Sequence, residues 1–322
     1  MATPTLVKTW SFDVSNIETC SGSEECGQET LFALKSALVS AGWAVAASSN
    51  QSSFSNVGVD HWATSADLIR TASGAHSWIV LYNSTMDVSF IIDYLSSADY
   101  QTDFYVVDGA VNADGTTSAK PTYAGNAKFY SNSYCAPGYT SCTQIVWSAM
   151  WSTDYKAFRF FVRSDAASSG NLAFFIQEPS NTPDLWTDPL IWAMTSSNTT
   201  DVAWSASNFF ASRTTLLTRV NGAMTFGMYI TGEGFAGADV PAPTYTQASP
   251  CDLSSDAGYL ICPMGLMGYD VGVRGSNGRI DDMWWAPVAM SKGDSVIVSG
   301  SRDFISMVDF LLPWNDTVPV IG

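Results

Sequence analysis

Between Tyr155 and Pro179 the chain reads YKAFRFFVR, then SDAASSG, then NLAFFIQEP. Two aromatic and branched runs flank a loop of small polar residues, which is the pattern of an antiparallel hairpin. In the first arm Phe158, Phe160 and Val162 alternate with Arg159, Phe161 and Arg163. A period of two sends the two sets to opposite faces of a strand. The same pattern recurs along much of the 322-residue chain. WAVAAS (43–48), HSWIVLYN (76–83), DVSFIIDYL (87–95) and DFYVVDG (103–109) are short, branched or aromatic, and bounded by turn residues. TLLTRV, AMTFGMYIT, RIDDMWWAP and DSVIVSG continue it, and RDFISMVDFLLPW reads as a strand entering an extended tail.

One stretch departs from that pattern. ETLFALKSALVSAG (29–42) sets Leu31, Leu34 and Leu38, with Phe32, at helical spacing. Glu29 stands in the first turn, where it favours the helix dipole, and Gly42 is placed as a stop. The expected fold is mainly β with one N-terminal amphipathic helix, an α+β arrangement of antiparallel sheets packed in a sandwich-like way. Two parts are expected. Residues 1–120 form an α+β part and residues 121–322 a β-rich part, unless the whole is one continuous domain. The Gly- and Pro-rich segment 231–250 is the clearest internal break.

Composition limits the function classes. Charged residues make up 14% and aromatics 13%, with 12 Trp, so the polar surface must come from Ser, Thr, Asn and Gly. The net charge of −16 repels phosphate backbones, and no basic run offsets it, which argues against nucleic acid as a partner. The apolar runs fall short of the roughly 20 residues that a spanning helix needs, so no membrane partner is expected. The start MATPTLVKTWSFDVS has neither an apolar signal core nor a cleavage site. Synthesis in a cytoplasm is expected.

The six cysteines form local couples: Cys20 with Cys26, Cys135 with Cys142, and Cys251 with Cys262. Nearest-neighbour disulfides are one of fifteen connectivities, and six free thiols in a reducing cell is the competing reading. The spacings do not suit zinc.

Candidate chemistry is sparse. His61 and His76 are the only histidines. A Ser-His-Asp set needs a nucleophile and an orienting acid beside the base, and no G-x-S-x-G elbow accompanies them. Both read as turn or cap residues. Asp281 and Asp282 could serve glycoside hydrolysis, with Trp284 and Trp285 stacking on sugar, but neighbours in a strand point to opposite faces. DGAVNADG (108–115) has calcium-like oxygen spacing without the closing glutamate, and reads as a polar turn. Sequons at Asn50, Asn83, Asn198 and Asn315 read as fortuitous. No catalytic, cofactor or metal residue is assigned. Trp147, Trp151, Trp186, Trp192, Trp204, Trp284, Trp285 and Trp314 exceed what one core is expected to use, and surplus aromatics describe a subunit interface. The tail LLPWNDTVPVIG, broken by Pro313 and Pro319, reads as an extended arm against a neighbour.

The order of motifs carries a resemblance. VKTWSFDV precedes the helix, followed by GW-V--SS, D-W---ADLI, GAHSWIVL, a central hairpin, CPMGLMG-D-GVRGSNGRIDDMWW and D-LLPWN-T-P. This order resembles a family of tailed-bacteriophage virion structural proteins encoded among head and tail genes. Its best-matching stretches are Gly74 to Leu81, Gly272 to Trp285 and Leu311 to Pro319. The resemblance implies a non-enzymatic, multi-copy tail or baseplate component, with head decoration or collar as a close variant. It also implies localisation in the virion and partners among copies of itself and other virion proteins. The surplus aromatics and the proline-broken tail make Trp284, Trp285, Trp314, Pro313 and Pro319 the expected interface residues. Two further readings stay open. One is a receptor- or carbohydrate-binding virion protein meeting a host surface glycan through its tryptophans. The other is a polysaccharide-degrading hydrolase.

Overall fold

The computed structural model describes residues 8–13, 17–50, 54–55, 58–68, 77–94, 102–111, 128–130, 143–164, 171–180, 182, 187–197, 216–220, 223–225, 228–231, 253–254, 260–268, 276–285, 295–298, 302–306 and 310–313. Strands β1 (Trp10–Asp13) and β2 (Ile17–Thr19) precede the helix α1 (Ser23–Ser40). Then come β3 (Ala44–Asn50), β4 (Phe54–Ser55), a short 3-10 turn (Ser65–Asp67), β5 (Ser77–Asn83), β6 (Val88–Tyr94), β7 (Thr102–Asp108) and β8 (Lys128–Tyr130). The next run is β9 (Gln144–Ser152), β10 (Ala157–Ser164), β11 (Asn171–Gln177), β12 (Leu190–Ser197), β13 (Leu216–Val220) and β14 (Ala223–Thr225). The last is β15 (Met228–Thr231), β16 (Leu253–Ser254), β17 (Leu260–Gly268), β18 (Ser276–Trp285), β19 (Ser295–Val298), β20 (Arg302–Ser306) and β21 (Phe310–Pro313).

The described pairings are all antiparallel and make three sheets. The first runs β1-β9-β10-β11-β12-β13-β14, with β2 also on β9; the second runs β4-β3-β5-β6-β7-β8; the third runs β15-β17-β18-β21-β20-β19, with β16 on β17. The architecture is thus β-rich with one α-helix among the described residues, as the alternation demanded. β10 and β11 form the expected hairpin, in register from Ala157↔Gln177 to Val162↔Leu172. The first sheet crosses residue 120, because β1 and β2 join strands drawn from residues 144–225.

The helix starts six residues earlier than its periodicity suggested, at Ser23. Glu24 and Glu25, not Glu29, are the acids of its first turn. Its end is as expected. Trp43 N–H donates to the Leu38 carbonyl and Gly42 N–H to that of Val39, the paired closure that requires a left-handed residue. Gly42 supplies it at φ +85°.

Helix and sheets meet in one apolar core. Leu31, Leu34 and Leu38 of α1, Ile79, Leu81, Phe90, Ile92 and Phe104 of the second sheet, and Phe158, Phe160, Phe174 and Trp192 of the first are all buried together. Phe90 stacks on Phe174 across the two sheets with centroids 4.7 Å apart. Each such side chain contributes about 1.5–3 kcal/mol by leaving water. The side chains on the second sheet's other face, Trp78, Val80, Ile91, Tyr105 and Val107, are buried as well, which explains why β5 and β6 read as near-continuous apolar runs.

Several sequence readings need correction. AMTFGMYIT is two strands in different sheets, β14 and β15. RDFISMVDFLLPW is a hairpin of β20 and β21, with Ser306 opposite Leu311. Leu311 also faces Trp284 of β18, so residues 310–313 form a strand inside the third sheet and not an extended arm. Pro313 closes that strand; Trp314 and Pro319 lie outside the described residues. Trp147 and Trp192 are buried core residues of β9 and β12, at 5% and 1% exposure, and Trp151 is half-buried against them. They are not surplus surface aromatics. β9, β12 and β17 had no counterpart among the expected strands. In β17, Pro263 sits between the stretch paired to β16, ending at Ile261, and the stretch paired to β15, starting at Gly265. On the β15/β16 side it thus falls between the two paired stretches, while on the other side it lies opposite Trp284 of β18.

Candidate functional site

The most chemically loaded place is where β18 meets the reverse face of the first sheet. Opposite two β17 positions, Pro263 and Gly265, β18 runs from Trp284 to Arg279. Ile280–Met283 therefore bulge out of the ladder. Asp282 within the bulge has φ +56°, which breaks the strict alternation expected of neighbouring strand residues. Both acids are buried, Asp281 at 2% and Asp282 at 0% exposure.

The bulge wraps a fully buried arginine. Arg159 of β10 points away from the Phe158 and Phe160 face. Its Nη1 donates to the Asp282 carbonyl at 2.9 Å, and its Nη2 donates to the Asp281 carbonyl at 2.7 Å and to Gln177 Oε1 at 3.0 Å. Burial pushes the guanidinium down to about 10, while the charges of Asp282 and Asp281 hold it up, so it is a cation at neutral pH. The carboxylates are also engaged. Asp282 Oδ2 accepts from Trp10 Nε1 at 2.8 Å and from the Lys8 amide at 2.9 Å. Asp281 Oδ1 accepts from Ser180 Oγ. The Trp10 ring lies over the guanidinium, 4.3 Å from centroid to Cζ, a cation–π contact strengthened by desolvation.

This arrangement answers the acid-pair reading of Asp281 and Asp282. A glycosidase acid and nucleophile must flank a solvent-reached bond. Here both carboxylates are sealed in and bound to donors, so their chemistry is cohesion between two sheets. Arg159, Trp10, Lys8 and Ser180 were not flagged by sequence. The available signal was an arginine among phenylalanines on a strand, which a buried carboxylate must answer.

The histidine loop is likewise occupied with packing. The His61 amide donates to Ser48 Oγ at 2.8 Å, and Trp62 Nε1 donates to the Ser49 carbonyl at 3.0 Å. Lys35 of α1 pairs with Asp60 and donates to the Trp62 carbonyl at 2.9 Å. No serine–histidine hydrogen bond of a nucleophile to a ring nitrogen forms here among the described contacts. His76 lies outside the described residues. Asn83 is 1% exposed, and its Oδ1 accepts from the Thr85 and Met86 amides at 2.9 and 3.0 Å. That sequon is therefore a turn cap and not a glycan site.

A cleft of about 240 Å³ opens at the end of the sandwich, lined by Met86, Asp87, Asp108, Lys156, Glu178 and Asp188 among others. Lys156 pairs with Glu178 at 2.6 Å, and Tyr82 Oη donates to Asp87 at 2.8 Å. No group of three or more His, Cys, Asp or Glu side chains is arranged to hold a metal ion among the described residues. Gly109, at φ +76°, ends the β7 edge of this cleft and donates to the Asp87 carbonyl at 2.9 Å. Of DGAVNADG, residues 112–115 lie outside the described set.

Cys20 and Cys26 form a disulfide with Cα atoms 5.3 Å apart. Cys135, Cys142 and Cys251 lie outside the described residues, and Cys262 is described only as a backbone position of β17. Trp284 and Trp285 occupy β18 opposite Pro263 and Cys262 on one side and Leu311 and Phe310 on the other. No described helix is long and apolar enough to cross a membrane. The chain matches no protein-family model, and a search of curated proteins finds no match.

Proposed function

We propose that this chain is a bacteriophage virion structural protein, a multi-copy tail or baseplate component that acts by assembly. The observation that carries the reading is the use of its best acid pair. Asp281 and Asp282, which lie beside two tryptophans, are spent on a buried clamp between sheets and not presented to a substrate. The stretches that resemble phage virion proteins also pair with one another. Leu311, in one of them, faces Trp284, in another. The acidic charge and low charged fraction suit an outer component better than one lining DNA. A sugar-platform reading has lost the buried Trp147 and Trp192.

The test is direct. Purified particles are expected to contain the chain in many copies by quantitative mass spectrometry, and the isolated protein to run as a ring or small oligomer by light scattering. A chain absent from particles and strictly monomeric in solution overturns the proposal. Cleavage of a host polysaccharide that persists in an Asp281→Asn, Asp282→Asn variant would overturn it in favour of an enzyme acting through other residues.

A further inference from the structure

The first described residues run along an edge of the first sheet and are tied to the third sheet at one end and to the helix at the other. β1 pairs with β9 from Trp10↔Ser152 to Asp13↔Ala149, and β2 pairs with the same strand from Ile17↔Val146 to Thr19↔Gln144. At one end Lys8 and Trp10 donate to Asp282 of the third sheet. At the other, Cys20 N–H donates to the Thr143 carbonyl at 2.8 Å, and Cys20 is bonded to Cys26 in the first turns of α1. That helix packs into the core shared with the second sheet.

We propose that residues 8–13 and 17–26 act as a strap across the layers, and that the Cys20–Cys26 couple is its redox latch: the disulfide fixes the strap and the dithiol frees its helix end. β2 has three register pairs, all to one neighbour, and short edge segments of that kind open at low free energy unless tied down. Described noncovalent ties between its end and the helix include the Ser21–Glu25 bonds, the burial of Cys20 and Cys26 in the apolar core, and the helix's own first turn, where Cys26 N–H donates to the Gly22 carbonyl at 3.0 Å. The Ser21–Glu25 pair is exposed, and exposed contacts of that kind are weak. The disulfide adds a covalent tie at this end, which opens only by a chemical step.

The chemistry balances with a small-molecule disulfide as oxidant. One cysteine thiolate attacks that disulfide and releases a small thiolate. The other cysteine thiolate then attacks the mixed disulfide and releases the second. Two protons leave the cysteines, and two electrons end on the small-molecule pair. Both cysteines are buried, Cys20 at 4% and Cys26 at 0% exposure. Thiols reach the closed bond only when the strap opens, so a latch set in an oxidising milieu persists while the protein stays folded.

The test uses the full chain. Amide hydrogen exchange is compared between the oxidised protein and the same protein refolded in dithiothreitol. Reduction is expected to speed exchange in residues 17–26 by about tenfold or more, with β10 and β11 unchanged. The Cys20→Ser, Cys26→Ser variant is expected to exchange like the reduced protein and to ignore the reductant. Unchanged exchange in 17–26, a uniform rise across the whole chain, or a response that survives in the double variant would each overturn the proposal. If the double variant does not fold, the wild-type comparison decides alone, with alkylation and mass spectrometry reporting which cysteines are free. None of these outcomes depends on whether the chain is a virion component.

Discussion

Strand β10 has two faces, and they hold the molecule together in opposite ways. On one, Phe158, Phe160 and Val162 join the apolar core between the first and second sheets. On the other, Arg159 is surrounded by Asp281, Asp282, Gln177 and Trp10. The apolar face needs only complementary volume, and it tolerates exchange of one hydrophobe for another. The polar face depends on particular donors and acceptors, because a buried charge left alone is far more costly than a lost contact. The two faces should therefore fail differently.

The largest effects come from breaking each face separately. Arg159→Met is expected to cost about 3–5 kcal/mol in urea unfolding, since it leaves two buried carbonyls and Gln177 without their donor and removes the cation that faces two buried carboxylates. Adding Asp282→Asn should recover about 1–3 kcal/mol of that, because the two sites share one network. Phe174→Ala should cost a similar amount, about 3–5 kcal/mol, by cavity formation against Phe90 and Phe158. Combined with Asp282→Asn it should be additive within about 0.5 kcal/mol. Equal non-additivity for both pairs would erase the distinction between the faces.

The same contrast explains what was readable in the sequence. Alternation of Phe158, Phe160 and Val162 against Arg159 and Phe161 marked both the strand and its two faces, since period two is a local property. The helix end at Gly42 was readable for the same reason. Its beginning was not, because Ser23–Gln28 carry no apolar periodicity and are held by the Cys20–Cys26 bond. β9 and β17 were missed because QIVWSAMWS mixes small polar residues with its tryptophans and LICPMGLMG contains a proline. In both, the pairing partners and not the local pattern decide the strand. The Arg159 junction was hidden because its members, Lys8, Trp10, Arg159, Ser180 and Asp282, are brought together over as many as 274 positions. A left-handed aspartate in a bulge has no sequence signal of its own.

A smaller effect sharpens the comparison at a site where the backbone itself is the constraint. Gly42 has φ +85°, and a Cβ there would sit 2.7 Å from Tyr155 Cδ1. Gly42→Ala should cost about 1–2 kcal/mol, from the left-handed conformation and the displaced ring. In a Tyr155→Ala background the steric part should vanish and only the conformational part remain. Tyr155 is 45% exposed, so its ring can move, and the steric part should be the smaller of the two. Thermal unfolding of the four proteins in the cycle measures both parts.

The smallest expected effect concerns a single half-buried acid on the helix. Glu29 accepts from Ser65 Oγ, which ties α1 to the short 3-10 turn. Burial raises its pKa from 4.5; the Ser65 bond opposes this, and the charges of Glu18 and Glu25 add to it. A carboxyl whose folded pKa is raised favours the folded state in its protonated form. Its contribution is fully present below 4.5, the unfolded value, and is lost as pH rises through the folded value. Glu29→Gln keeps an acceptor for Ser65 and removes the charge. The variant should therefore be slightly more stable than the native chain at pH 7, by less than about 1 kcal/mol given the partial exposure. That advantage should shrink towards zero as pH falls below 4.5. Urea midpoints at pH 4 and pH 7 test the sign. An advantage that grows on acidification would show that the ionised Glu29–Ser65 contact outweighs the cost of burying the charge. The helix would then be held at this point as the Arg159 junction is held, by a satisfied charge, and not as the apolar core is.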